Sequence, residues 1–152
     1  FAFFDPLRGW RRVSSRDQRT RRDWAEEVRH LLEVDYPNAE LVTLVCDHLN
    51  THDIASLYAT FDAPTAHRLA RRLRIVHTPR NGSWLNMAEI ELSVLARQCL
   101  RRRFNSVTHM QTAIALWQNA RNTAECGARW RFTTTQARIQ LQSLYPQPDV
   151  LG

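Results

Sequence analysis

The sequence predicts an α/β fold, and three observations carry that expectation. A short aromatic strand, Phe1–Phe4, is followed by a second strand candidate, Trp10–Ser15. Leu41–Cys46 is a nearly continuous apolar run, of the kind a strand covered on both faces shows. The segments between and after these runs have helical rather than alternating periodicity.

Taken in order, Asp5-Pro6 ends the first strand, and Gly9 occupies the turn into its hairpin partner. Thr20 or Asp23 caps a helix in which Trp24, Val28, Leu31 and Leu32 recur at helical spacing, up to Tyr36-Pro37. After the Leu41–Cys46 strand, Asp53–Phe61 and Thr65–Arg72 read as short helices parted by Asp62-Ala63-Pro64. Leu73–His77 is another short strand, and Pro79–Ser83 a loop with Asn81-Gly82 as turn signal. A long helix is expected from about Trp84 to Arg103. Its first stripe is Leu85, Ala88, Leu92, Leu95 and Cys99; Met87, Ile90 and Val94 form a second, so packing on more than one side is expected. Val107–Asn122 is helical, and Thr133–Leu144 is a last helix capped by one of Thr133–Thr135. One domain is expected over residues 1–145, with a disordered tail over 146–152, where Pro146 and Pro148 end the order.

A chain of 152 residues with 43% apolar content can bury a core, and with only 4 glycines it is neither fibrous nor disordered. The net charge is +6, and all 21 basic residues are arginine. Codon bias in a GC-rich genome explains that choice. Guanidinium forks that grip phosphates explain it too, and favour a nucleic-acid partner. Cys46, Cys99 and Cys126 are odd in number and show no CxxC spacing, as free thiols in a reducing cytoplasm would. No apolar run reaches membrane-spanning length. The opening on Phe1 rather than Met reads as a fragment or processed product.

The chemistry concentrates between Leu41 and Glu91. The apolar run ends in Asp47, followed at once by His48, Asn50 and His52. In open α/β sheets ligands gather beyond the carboxyl ends of strands, where Asp47 should lie. The competing role for this turn is to start the next helix, with Asn50 or Thr51 as N-cap. Glu89 and Glu91 fall on opposite shoulders of the long helix's apolar stripe, and the helix dipole favours both, so periodicity does not choose between them. His48 and His52 stand four apart, a zinc-like spacing, but without the intervening Glu of a metalloprotease. A hydrogen bond to the site or a phosphate suits His52; capping or packing suits His48.

Three runs together resemble the DDE transposases of bacterial insertion sequences related to mariner elements. They are Asp47-x-x-Asn50-x-His52, His77-Thr78-Pro79, and Gly82-Ser83-Trp84-Leu85-Asn86-x-x-Glu89. Asp5-Pro6-Leu7-x-Gly9-Trp10-Arg11, Arg97-Gln98-Cys99-Leu100 and Trp130-x-Phe132-Thr133-Thr134-x-x-Ala137-Arg138 extend the likeness over nearly the whole chain. The resemblance implies an incomplete ribonuclease-H-like fold, a mixed sheet flanked by helices. It implies that Asp47 and Glu89 are the second and third catalytic acids and metal ligands, and it selects Glu89 over Glu91. Asn50, His52 and Asn86 match motif positions around the site. His48 departs from the pattern, which carries Asn there.

The implied chemistry is phosphodiester cleavage and strand transfer with two Mg²⁺ (or Mn²⁺) ions. The first acid belongs to a strand upstream of the segment matching Phe1–Arg11. Asp5 matches a later strand and is not expected to replace it. These residues alone are therefore expected to be inactive. The implied partners are DNA, met by Arg71 and Arg101 within the Arg68–Arg74 and Arg97–Arg103 clusters, and a second copy or a chain supplying the missing strand. A bacterial cytoplasmic location follows from the same resemblance. The alternative function is a non-catalytic remnant that binds DNA or pairs with another chain.

Overall fold

The computed structural model describes residues 1–47, 49–78, 87–128 and 133–140. β1 (Ala2–Asp5) and β2 (Trp10–Val13) pair antiparallel, Ala2 opposite Val13 and Asp5 opposite Trp10. Gly9 has φ +63° in the turn, a conformation that a side chain disfavours. A Cβ there would also lie 2.4 Å from the Glu125 backbone, so glycine is required twice over. β2's outer edge is closed by α5 (Val107–Thr123). Asn122 accepts from the Arg11 N–H and donates to its carbonyl, both at 2.9 Å, and Gln118 accepts from the Val13 N–H at 2.7 Å.

α1 (Arg21–His30) starts with a reciprocal capping box between Thr20 and Asp23, then passes into a π-helical turn at Leu31–Asp35. It buries Trp24, Ala25, Val28 and Leu32 against Leu57 of α2 (Ala55–Thr60), Ala66 and Leu69 of α3 (Ala63–Arg71), and Leu73 of β4 (Leu73–His77). β4 pairs in parallel with β3 (Val42–Cys46), Val42 opposite Leu73 and Cys46 opposite His77. Asp62 caps α3 through the Thr65 N–H. The strands thus form two separate two-stranded pieces, one antiparallel and one parallel. The class is mixed α/β, compatible with a ribonuclease-H-like core.

Helices cover both faces of the hairpin. Arg11 and Arg12 are consecutive strand residues and so point to opposite faces. Arg11 pairs with Glu91 of α4 (Met87–Leu95), and Arg12 pairs with Glu27 of α1. Tyr36, between α1 and β3, donates its hydroxyl to Asp5 at the end of β1 at 3.0 Å.

Several expectations are corrected. β3 is covered on one face only: Val42 and Leu44 pack on the core, while Thr43 is exposed and Val45 is 51% exposed. Neither Asn50 nor Thr51 caps α2, which is preceded by Ile54 without a side-chain cap. The long helix leaves regular geometry early, running as α4 and then a π-helical turn, Ala96–Leu100, before ending at Arg101. A second core forms from Leu95, Cys99, Ala113 and Ile114. Ile90 and Leu92 remain largely exposed, so the broad apolar surface expected of this helix is only partly packed. α6 (Thr134–Gln140) begins where Thr133 and Gln136 exchange capping bonds. The loop at 79–83, residues 84–86 of the long helix, 141–144 and the tail 146–152 lie outside the described residues.

Candidate functional site

Asp47 immediately follows β3, and its side chain is half exposed. Its Oδ1 shares a hydrogen bond of 2.6 Å with Nδ1 of His52. The His52 ring stacks on Trp24, with ring centroids 5.7 Å apart and planes 25° apart. The His52 carbonyl meets Nε2 of His77 at 3.1 Å. A buried tryptophan therefore fixes the imidazole, and the imidazole fixes one oxygen of the carboxylate; among the described residues, no hydrogen bond reaches the other.

Asp47, His52 and Glu89 line one cavity of about 900 Å³, together with β1, β3, Trp24 and Met87. Glu89 is exposed near the start of α4. Glu91 faces elsewhere: it is buried, 2.7 Å from Arg11 and 3.0 Å from Arg121. Its carboxylate neutralises a fully buried guanidinium and is committed to the fold. Asp5 is engaged too, accepting from the Leu7 and Arg8 N–H groups and from Tyr36. Burial, with the adjacent Asp47 charge, pushes the Cys46 thiol up to about 11, so it stays protonated at neutral pH.

Of the other residues singled out from the sequence, Asn50 is exposed and does not line the cavity. Arg71 and Arg101 are exposed. His48 and Asn86 lie outside the described residues. The arginine clusters are not uniform phosphate stripes. Arg72 ties down the turn before β3 by donating to the Tyr36 and Ala39 carbonyls, both at 2.8 Å, and Arg68 pairs with Glu33 at 2.7 Å. Sequence reasoning missed Trp24 as the support of His52, since a Trp on a helical stripe reads as core. It also missed the Arg11–Glu91 pair, which no local spacing announces.

Among the described residues, no three His, Cys, Asp or Glu side chains converge closely enough to hold a metal ion. Asp47 and Glu89 are nevertheless oxygen donors on one cavity, the donor type that hard divalent ions take. No described helix is long and apolar enough to cross a membrane.

The fold and site together define a mixed α/β domain with an acid at the carboxyl end of a parallel strand and another on a helix across the same cavity. A family model described as DDE superfamily endonuclease matches residues 1–111, and the chain belongs to that family. Such endonucleases act on DNA and generally use divalent metal ions. Comparison with curated proteins and with solved structures gave no match.

Proposed function

We propose that this chain is part of the catalytic domain of a transposase of the mariner-related bacterial insertion-sequence type, acting in Mg²⁺-dependent DNA cleavage and strand transfer. The observation that carries the reading is the shared cavity of Asp47 and Glu89, with Glu91 withdrawn from it. Asp47 and Glu89 would hold the metal, and His52 would hold Asp47 in place. Bound there, a divalent ion would stabilise charge developing on the displaced phosphodiester oxygen. Arg71 and Arg101 would meet the DNA backbone from exposed positions. Residues 1–145 would form the partial domain, in the bacterial cytoplasm.

Two acids do not complete such a site, so a third would come from outside these positions. This chain by itself is then inactive and binds DNA without cutting it. The division of the strands into two separate two-stranded pieces favours a second reading, a non-catalytic remnant that binds DNA or pairs with another polypeptide.

Plasmid nicking and duplex binding test the proposal together. The chain should bind a random duplex with an affinity that falls steeply between about 50 and 200 mM salt. It should leave supercoiled plasmid intact in Mg²⁺ or Mn²⁺. Absence of binding at low salt contradicts the DNA role; nicking lost in Asp47→Ala contradicts the inactivity.

A further inference from the structure

Apolar packing has little to choose with on α4. Met87, Ala88, Ile90, Leu92, Val94 and Leu95 put apolar side chains on nearly every side of the helix. Of its residues only Glu91 and Leu95 are buried, while Ile90 and Leu92 stay largely exposed. Leu95 joins the second core, and apolar contacts of that kind tolerate exchange with a neighbour of similar volume. A buried charge is more selective.

Arg11 is a fixed point for that charge. Its side chain is fully buried; Nη1 donates to the Gly9 carbonyl at 2.9 Å and to Asn122 at 3.3 Å, and Nη2 donates to the Cys126 carbonyl. The guanidinium also lies over the Phe4 ring, 5.2 Å from its centroid. Neutral carbonyls leave the positive charge unmatched, and Glu91 answers it at 2.7 Å. Arg121 of α5 reaches the same carboxylate oxygen at 3.0 Å. The best-attested use of such a buried pair is to fix register, since it forms in one alignment only.

The position of Glu89 follows. At about 100° per residue, Glu89 and Glu91 lie about 160° apart around the helix. With Glu91 drawn onto Arg11, Glu89 is turned into the cavity that Asp47 lines. A shift of α4 by two residues would offer Glu89 to Arg11 and withdraw it from that cavity.

We propose that Arg11, acting through Glu91, is a positioning residue for the metal site: it sets the register of α4 and thereby holds Glu89 on the cavity it shares with Asp47. This rests on the reading that Asp47 and Glu89 bind the metal. A distance measurement needs no metal, so the two can fail separately.

The test uses the 152-residue chain with Cys126→Ser, which removes the partly exposed thiol and leaves the buried Cys46 and Cys99. Nitroxides at Ile90→Cys of α4 and Tyr58→Cys of α2 report the distance from α4 to the core that carries β3, by pulsed electron paramagnetic resonance. Mn²⁺ affinity is titrated on the unlabelled chain. Glu91→Gln removes the charge at nearly constant shape. Arg11→Met with Glu91→Met replaces the pair by apolar side chains, which spares the fold an unpaired buried charge. Leu69→Ala is the control: it loosens the first core through α3 and does not touch the pair.

The unaltered pair should give one narrow distance. Both variants of the pair should move or broaden it by about 5 Å or more, half the width of a helix. Both should weaken Mn²⁺ binding about tenfold or more. Leu69→Ala should do neither in its folded fraction. A distance or an affinity unchanged in the double variant, or lost equally in Leu69→Ala, overturns the proposal and leaves the pair a support of the fold alone. A distance that moves as expected in a chain that never binds Mn²⁺ upholds Arg11 as the residue that positions Glu89, and refutes the metal reading instead.

Discussion

Arg11 and Glu91 form an ion pair of 2.7 Å buried at both ends, and that pair separates two glutamates which the helix pattern leaves equivalent. Glu91 → Ala leaves the Arg11 charge unpaired in the interior, and should destabilise the fold by about 3–5 kcal/mol. Glu89 → Ala changes an exposed side chain, and its effect on stability should stay within about 0.5 kcal/mol. Urea denaturation of the two variants compares them directly. Equal losses would refute the division of labour.

His52 supports Asp47 through a 2.6 Å hydrogen bond and is itself stacked on Trp24. Supporting groups of this kind typically contribute about 10–100-fold to metal affinity. His52 → Ala should weaken Mn²⁺ binding by about that factor while the chain stays folded by circular dichroism. An unchanged affinity would reduce His52 to a packing residue.

Gly9 combines a left-handed φ with a backbone approach that admits no Cβ. Gly9 → Ala should cost at least about 1–3 kcal/mol, seen as a lower urea midpoint with an unchanged slope. A neutral substitution would show that the turn and the Glu125 segment separate freely.

Acid should loosen the hairpin from α1. Burial opposes ionisation of Glu27, but bonds from Arg12 and Arg16 outweigh it and hold the carboxyl below its ordinary range. A carboxyl depressed in the folded state contributes stability that is full above its unfolded pKa of about 4.3. That contribution is lost as pH falls through the lower folded value. The melting temperature should drop below about pH 4, and Glu27 → Gln should lower it at neutral pH while flattening the acid limb. An acid limb that Gln leaves unchanged would assign the effect to other carboxylates.

Much of the fold was legible in local sequence. Thr20 and Asp23 announce the start of α1, Asp62-Ala63-Pro64 announces α3, and β4 occupies the expected Leu73–His77. These signals are caps and breaks, which act within a few residues. The π-helical turns at Leu31–Asp35 and Ala96–Leu100 were not legible, since the caps and apolar spacing that announce a helix do not distinguish a single i→i+5 turn within it. The open face of β3 was not legible either: Val45 is as apolar as a covered residue, and only its neighbours decide its exposure. At the site, Asp47 could be placed at a strand end from sequence. The choice between Glu89 and Glu91 depends on Arg11, which lies in another element, and so no wheel could make it.

Manganese titration followed by electron paramagnetic resonance tests the central claim most directly, because free Mn²⁺ loses its signal on binding and no DNA is needed. The account predicts weak binding to the whole chain, reduced about tenfold or more by Asp47 → Ala and by Glu89 → Ala alike, and unaltered by substitution of Asp5. Binding that survives both substitutions, or no binding by the unaltered chain, would contradict it.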